Sequence, residues 1–450
     1  MEEKIGENKV KIYPSDWRWS ATIVGLIKYF RYLNDKEDIF VLDDDFIEFD
    51  STLITEEDYL RFAESFFKEF MHHTDVEDKI QGVDPTEEEI KFINEKLAAN
   101  TVMKKVFKSI KFDGENAGLI EELIGKNRQE IVKQTFKGGR ALYYNYCNEN
   151  NMFSDRGKSC RLRGYSVDMG KKSKSVSYMR DKSTFVYQDS KYFDFIPFAF
   201  SKTREAFFIN NNFTIEQLIH TNKDDLLKGN TSARSQLFFK MKASTSFIDY
   251  DVEVIKKERE KDYFETIFVR KQAIKIFSQI SDETIPVLTW SCNAKRSEHS
   301  QDIWLNIENM VTESILNGLK LDDLIERLFK AYNDYKFLIS HLIKINQLIY
   351  EGGDKMTEKQ KQAYAAAMAV KEALKGRENK LRAYEQRLIS ALTLKDYDRV
   401  QELLLHLSAF TQVGMSFLID VFKDFEANKN LVYTFINALG EKKKKDKGED

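Results

Sequence analysis

The chain has 450 residues, 42% of them hydrophobic and 13% aromatic, which is enough apolar surface for substantial cores and excludes a disordered polymer. No run approaches the ~20 apolar residues of a membrane span, and the opening MEEKIGENKVKIYP lacks the basic-then-apolar order of a secretion signal. Cys147, Cys160 and Cys292 are too few for a disulfide framework, so free thiols and a cytoplasmic location are expected.

The net charge of -3 hides an asymmetry, because residues 126–182 hold fourteen Lys or Arg against five Asp or Glu. Four prolines in the whole chain leave few enforced helix breaks, which favours helices with some sheet. Residues 15–33 place Trp19, Ile23, Leu26, Ile27, Phe30 and Leu33 on one face of an amphipathic helix, with Ser15 as the expected N-cap. IFVL and FIEF then flank Asp43-Asp44-Asp45, which predicts a hairpin around an acidic turn rather than a magnesium cluster. Tyr59, Ala63, Phe66, Phe67 and Phe70 restore the helical period, and His72-His73 at its end read as a surface pair, since neighbours on a helix face different sides.

Between about 126 and 300, the runs TFVYQ, YFDFIPFAF, EAFFINNNF, QLFFKM and FIDYDVEVI predict a sheet whose loops, RGKSCRLRG and GKKSKSVSYMR, carry the cations. From about 302 the helical period returns at Ile307 and Val311, at Leu321, Leu324 and Leu328, and at Leu338, Leu342 and Ile345. Gly352-Gly353 interrupts it, and residues 356–440 predict a bundle of four or five helices. The expected class is α+β: a mixed N-terminal body of small sheets and helices, then an all-α C-terminal bundle. The divisions fall at 1–125, a basic mixed region 126–300, a helical connector 301–350, the bundle 356–440 and a disordered charged tail 441–450.

Phosphates are held by cations, and bases stack on aromatic rings. Lys126, Arg128, Lys133, Lys137, Arg140, Arg156, Lys158, Arg161, Arg163, Lys171, Lys172, Lys174 and Arg180 are the candidate nucleic-acid contacts, with Tyr143, Tyr144, Tyr146 and Tyr178 interleaved; a solvated basic face is the alternative. Asn210, Asn211 and Asn212 are candidate base readers, since an amide both donates and accepts, or else a simple turn. No phosphate-loop, dinucleotide, zinc-protease or serine-hydrolase motif occurs, no C-x-x-C pair could hold zinc, and neither cofactor nor metal is expected. Arg399 and His406, seven apart on one helix face, resemble the R-x(4-6)-H element of metal-independent HEPN ribonucleases, although Val400 stands where that family usually has a polar residue.

The opening DWRWSATIVGLIKYFRYL, with Trp17, Ala21, Val24 and Gly25, followed by a hairpin and the aromatic helix YLRFAESFFKEF, resembles the N-terminus of the large subunit of type I CRISPR Cascade complexes. The subtype I-B and Cst-type branch is the most similar. That branch often carries two C-x-x-C pairs, where this chain keeps only Cys147 and Cys160. The resemblance implies a non-catalytic subunit that contacts the 5′ end of the crRNA guide and inspects double-stranded DNA for the protospacer-adjacent motif. It would also hold the displaced strand beside the backbone, guide-5′-end and small subunits of the complex, leaving degradation to a recruited helicase-nuclease. Glu351-Gly352-Gly353 can be encoded as a purine run that pairs with ribosomal RNA, and Met356 follows it, so the bundle is a candidate for separate translation from an internal start; the alternative is a plain Gly-Gly linker. A HEPN-like ribonuclease and a protein-interaction scaffold are the rival readings.

Overall fold

Short polar residues before apolar runs favour helix starts, and in the computed structural model Asp16, Thr55, Thr86, Asn100 and Thr214 each cap a helix. It describes residues 1–34, 39–80, 85–154, 161–163, 189–202, 205–223, 241–242, 245, 248, 250–259, 261, 263–288, 290–351 and 358–440. Contacts divide the chain into two units, Met1–Leu226 with Val252–Phe268, and Leu227–Asp251 with Val269–Asp450. The class is α+β, as the pattern predicts. Among the described residues no helix is long and apolar enough to cross a membrane.

In the first unit, β1 (Glu2–Lys4), β2 (Lys9–Ile12), β3 (Phe40–Leu42) and β4 (Ile47–Asp50) form an antiparallel sheet in the order β1-β2-β4-β3. The acidic cluster is the hairpin turn between β3 and β4, closed by Asp43 N–H donating to the Phe46 carbonyl at 3.0 Å. Helix α1 (Trp17–Leu33) is capped by Asp16 rather than the expected Ser15, its carboxylate accepting from the N–H groups of Arg18 at 2.8 Å and Trp19 at 3.4 Å. This helix is buried on nearly every side from Trp17 to Phe30, so it is a core helix and not the one-faced amphipath that the spacing predicts.

What covers it is the segment expected as the strand YFDFIPFAF. Lys191–Phe198 forms a 3-10 helix in which every residue from Tyr192 to Phe198 is buried. A continuous apolar run does not distinguish strand from buried helix, and Pro197 has no N–H for a sheet ladder. Gly25 makes the close crossing of α1 and this segment feasible, because a Cβ there would lie 2.1 Å from the Phe195 carbonyl oxygen.

Helices α2 (Glu56–Phe66), α3 (His72–Ile80), α4 (Glu87–Leu97), α5 (Thr101–Phe107) and α6 (Ala117–Gly138) follow. A reciprocal Thr86–Glu89 capping box starts α4. The unit has an aromatic core around α1 and an aliphatic one among α3, α4, α5 and α6. Helix α6 serves both, offering Ile120, Ile124 and Ile131 to the second and Val132 and Phe136 to the first. After α7 (Tyr143–Tyr146), β5 (Glu205–Asn210), β6 (Val252–Glu258) and β7 (Glu265–Val269) make a second sheet in that order, with Phe208 opposite Ile255 in the antiparallel β5–β6 pair; helix α8 (Ile215–Thr221) lies between β5 and β6 in the chain. EAFFINNNF and FIDYDVEVI therefore supply strands as expected, whereas TFVYQ, most of QLFFKM and the tail 441–450 lie outside the described residues.

The second unit holds α9 (Lys271–Gln279), α10 (Ile285–Leu288), the hairpin strands β8 (Ser291–Asn293) and β9 (Trp304–Asn306), and α11 (Ile307–Asn317), α12 (Asp322–Phe329) and α13 (Lys336–Glu351). It continues with α14 (Glu358–Ala373), α15 (Glu378–Thr393), α16 (Tyr397–Thr411), α17 (Leu418–Lys423) and α18 (Lys429–Gly440). Helix α18 is the centre: Lys429 to Leu439 are all buried, and α13, α14 and α15 pack on it. Its polar side chains find partners inside. Asn430 accepts from the Asn346 amide at 2.8 Å, Tyr433 OH donates to Glu326 at 2.9 Å, and the Asn437 amide donates to the Lys336 carbonyl at 3.1 Å.

Candidate nucleic-acid interface

The cations of α6 divide by their partners. Lys126 pairs with Glu122 one turn back, Lys133 with Glu56 of α2 at 2.6 Å, and Arg128 reaches both Glu64 of α2 and Glu77 of α3. These side chains fasten helix to helix. Arg140 and Lys137 enter no ion pair among the described residues.

Arg140 opens onto a cleft of about 710 Å3 in the first unit. Lys105 of α5 and Arg259, just past β6, line the same cleft, and Glu130 is its one carboxylate among the lining side chains. All three cations are exposed, and among the described residues none of them has an ion-pair partner. Gly139 lets the chain fold back tightly after α6, since a Cβ there would meet Leu142 Cδ1 at 2.7 Å and the Thr135 carbonyl at 2.8 Å, and this turn is what aims Arg140 into the cleft. The Phe70 ring lies 5.9 Å from the Arg259 guanidinium and forms part of the wall. Burial, with Lys96 close by, lowers the pKa of His72 and so disfavours charge on its imidazole. The result is a groove of one dominant sign, which concentrates field lines and attracts polyanions.

Arg161 has a different place from the one its charge predicts. Its side chain is 1% exposed, and its guanidinium donates to Asp194 Oδ1 at 2.7 Å and to the carbonyls of Asn151 and Ser154. Asp194 is buried too, and it also accepts from Tyr143 OH and, at 2.9 Å, from the Phe153 N–H. Burial raises the Asp194 pKa against the pull of Arg161; burial likewise opposes charge on Arg161, but Asp194 overcomes it and keeps the guanidinium cationic. Asn148 N–H donates to the Arg161 carbonyl at 2.7 Å and Arg163 N–H to the Tyr146 carbonyl at 2.9 Å, and Asp189 lies 3.8 Å from Arg161 Nε. Arg161 thus belongs to the core and pins both chain ends that flank residues 164–188. Arg163 stacks on Tyr144 with 3.8 Å from guanidinium to ring centroid.

The asparagines are likewise committed within the fold. Asn210 donates to Glu253 at 2.9 Å, Asn211 is fully buried and donates to Thr221 Oγ1 at 2.9 Å, and Asn212 donates to the Pro14 carbonyl at 3.1 Å. Asn211, fully buried, offers no reading edge to a base, whereas Asn210 and Asn212 each commit one amide N–H within the fold. Arg156, Lys158, Lys171, Lys172, Lys174, Arg180, Tyr178, Cys160 and Met356 lie outside the described residues.

His73 is buried rather than part of a surface pair, and its Nε2 is 2.8 Å from Glu64 Oε1. Glu64, His73 and Glu77 bring their ligand atoms within 4.8 Å of one another, yet Arg128 already sits on both carboxylates, so a divalent ion would have to displace a guanidinium. Burial works to raise the Glu64 pKa, but the His73 hydrogen bond and the Arg128 charge outweigh it and hold the carboxyl below its usual range. In the second unit, Arg399 pairs with Glu402 at 2.7 Å and His406 is exposed on the same helix, α16, while Leu403, Leu404 and Leu407 turn inward. The two side chains share a solvent face and not a catalytic recess.

A family model for the CRISPR-associated protein Csx8 matches residues 9–227 and 218–439, nearly the whole chain. The chain belongs to the Csx8 family. No curated protein and no solved structure matches it. CRISPR association, expected from soft apolar motifs in the first 70 residues, therefore extends through both units of this Csx8-family chain. Lys105 and Arg259 escaped the sequence reading because TVMKKVF and IKKERE are locally unremarkable charge runs, and only the fold brings them beside Arg140.

Proposed function

We propose that this Csx8-family protein is the non-catalytic large subunit of a crRNA-guided, Cascade-type surveillance complex, and that the first unit grips polynucleotide phosphates in the Lys105–Arg140–Arg259 cleft. The observation that carries the reading is this predominantly basic cleft, with three cations free of ion-pair partners among the described residues, in a chain of a CRISPR-associated family. In this reading the subunit contacts the guide near its 5′ end, inspects duplex DNA for the protospacer-adjacent motif and holds the displaced strand. The sequence itself is read by base pairing with the crRNA. Its partners are the crRNA, double-stranded target DNA, the backbone, guide-5′-end and small subunits, and a recruited helicase-nuclease.

The test is purification of the tagged chain from cells carrying its neighbouring genes and a guide array, followed by RNA extraction and duplex binding across a salt series. Guide RNA should co-purify, and Arg140→Gln and Arg259→Gln should each lower the slope of log affinity against log salt by about 0.9 on duplex DNA. Recovery of the chain without RNA, or salt slopes unchanged in both variants, would overturn the reading.

A further inference from the structure

The second unit carries a cleft that the reading above does not use. About 390 Å3 in volume, it is walled by one face of α12, the turn after α15 and the connection between β8 and β9. Four cations line it: Arg296 from the connection, Arg327 and Lys330 from the end of α12, and Lys395 from the turn. Two carboxylates also line it, Asp323 and Glu326, but Glu326 is buried and accepts from Tyr433 OH at 2.9 Å. Among the described residues no ion pair joins any of the four cations to an acidic side chain, although acids stand within the same cleft.

A helix end attracts lysine without any ligand, and Lys330 fits that account, donating to the Thr393 carbonyl at the close of α15 at 3.4 Å. The same account covers Arg327 in the last turn of α12, but not Arg296, which stands on a loop. Nor does the backbone ask for lysine at 395. Helix α15 closes with Lys395 N–H donating to the Leu392 carbonyl and Asp396 N–H to the Ala391 carbonyl, both at 3.0 Å. This places residue 395 at a φ of 58°, the left-handed position where glycine is the usual occupant. Ile303, exposed in the opposite wall, adds an apolar surface that suits a sugar or base rather than bare inorganic phosphate. A volume near 390 Å3 is in the range of small-ligand sites.

We propose that this cleft is a nucleotide phosphate site, taking either a phosphodiester of single-stranded nucleic acid or the phosphates of a free nucleotide, with Arg296, Arg327 and Lys395 as the phosphate ligands. The site lies outside the first unit's cleft; its strand arm rests on the displaced-strand role proposed above, whereas its free-nucleotide arm does not.

Lys395→Gly removes the cation while giving the left-handed turn its preferred residue, so the full-length variant should melt at or above the wild-type temperature; Arg327→Gln is the second variant. Oligothymidylate binding, followed by fluorescence anisotropy across a salt series, reads the strand. Thermal stabilisation by ATP reads the free nucleotide. A fall of about 0.7 in the oligothymidylate salt slope with either variant assigns the site to a strand phosphodiester. An unchanged slope together with loss of the ATP-induced shift assigns it to a free nucleotide. Variants that match the wild type in both measurements, or a wild type that responds to neither ligand, overturn the proposal.

Discussion

Arg161→Met is the sharpest perturbation of the first unit, because it separates an interior cation from a phosphate contact. Methionine keeps much of the length and apolar volume but leaves Asp194 with only Tyr143 OH and the Phe153 N–H, and leaves the Asn151 and Ser154 carbonyls without their guanidinium donor. Breaking a buried pair costs about 3–5 kcal/mol, and the two surviving hydrogen bonds to Asp194 place the expected loss nearer the lower end. Domains of this size are stable by about 5–15 kcal/mol, so a loss near 3 kcal/mol moves a urea midpoint far outside error. Asp194→Asn in the same chain should recover about 1–3 kcal/mol of it, the coupling expected for side chains in direct contact. The measurement is urea unfolding of the four members of the cycle by circular dichroism, with the duplex salt slope recorded beside it. A midpoint within about 0.5 kcal/mol of wild type, accompanied by a slope lowered by about 0.9, would refute the interior assignment and return Arg161 to the nucleic-acid surface.

Gly25→Ala places a Cβ 2.1 Å from the Phe195 carbonyl, and since that partner is backbone the cost should reach or exceed the ~1–3 kcal/mol of ordinary overpacking; a melting temperature equal to wild type would contradict it. Glu64 has a depressed pKa in the folded chain, so its stabilisation is complete above its unfolded value near ~4.3 and is lost as pH falls through the lower folded one; Glu64→Gln should flatten that part of the acid-unfolding curve. A fragment starting at Met356 lacks α12 and α13, which strips Glu326 from Tyr433, Asn346 from Asn430 and the Lys336 carbonyl from Asn437. It should bind a hydrophobic dye and unfold without a sharp transition, and a cooperative melt would show instead that the bundle stands alone.

Local pattern carried the elements whose determinants are local. The hairpin around Asp43–Asp45 and the helices of the second unit follow from turn chemistry and apolar spacing. The 3-10 segment Lys191–Phe198 was hidden because burial on all sides erases the alternation that would identify it. A count of cations finds the basic region but not who neutralises it. Asp194 takes Arg161, Glu64 and Glu77 take Arg128, and these acids lie far from their cations in the chain. Asn211 fails as a surface reader for the same reason, since its partner Thr221 is set by the packing of α8 beside β5. The cleft itself is assembled from α5, the Gly139 turn and the end of β6, three places that no single stretch of sequence relates.

The position of α18 in the chain sets an order of events on the ribosome. Among the described residues every helix that packs on it is made earlier, and Lys336, whose carbonyl receives the Asn437 amide, precedes that asparagine by 101 residues. At ~5–20 residues per second, α13 to α15 emerge roughly 2–20 s before the helix that fills the space between them is complete. During that interval the faces that α18 will cover are left open, and a chain truncated before Lys429 would carry a hollow bundle.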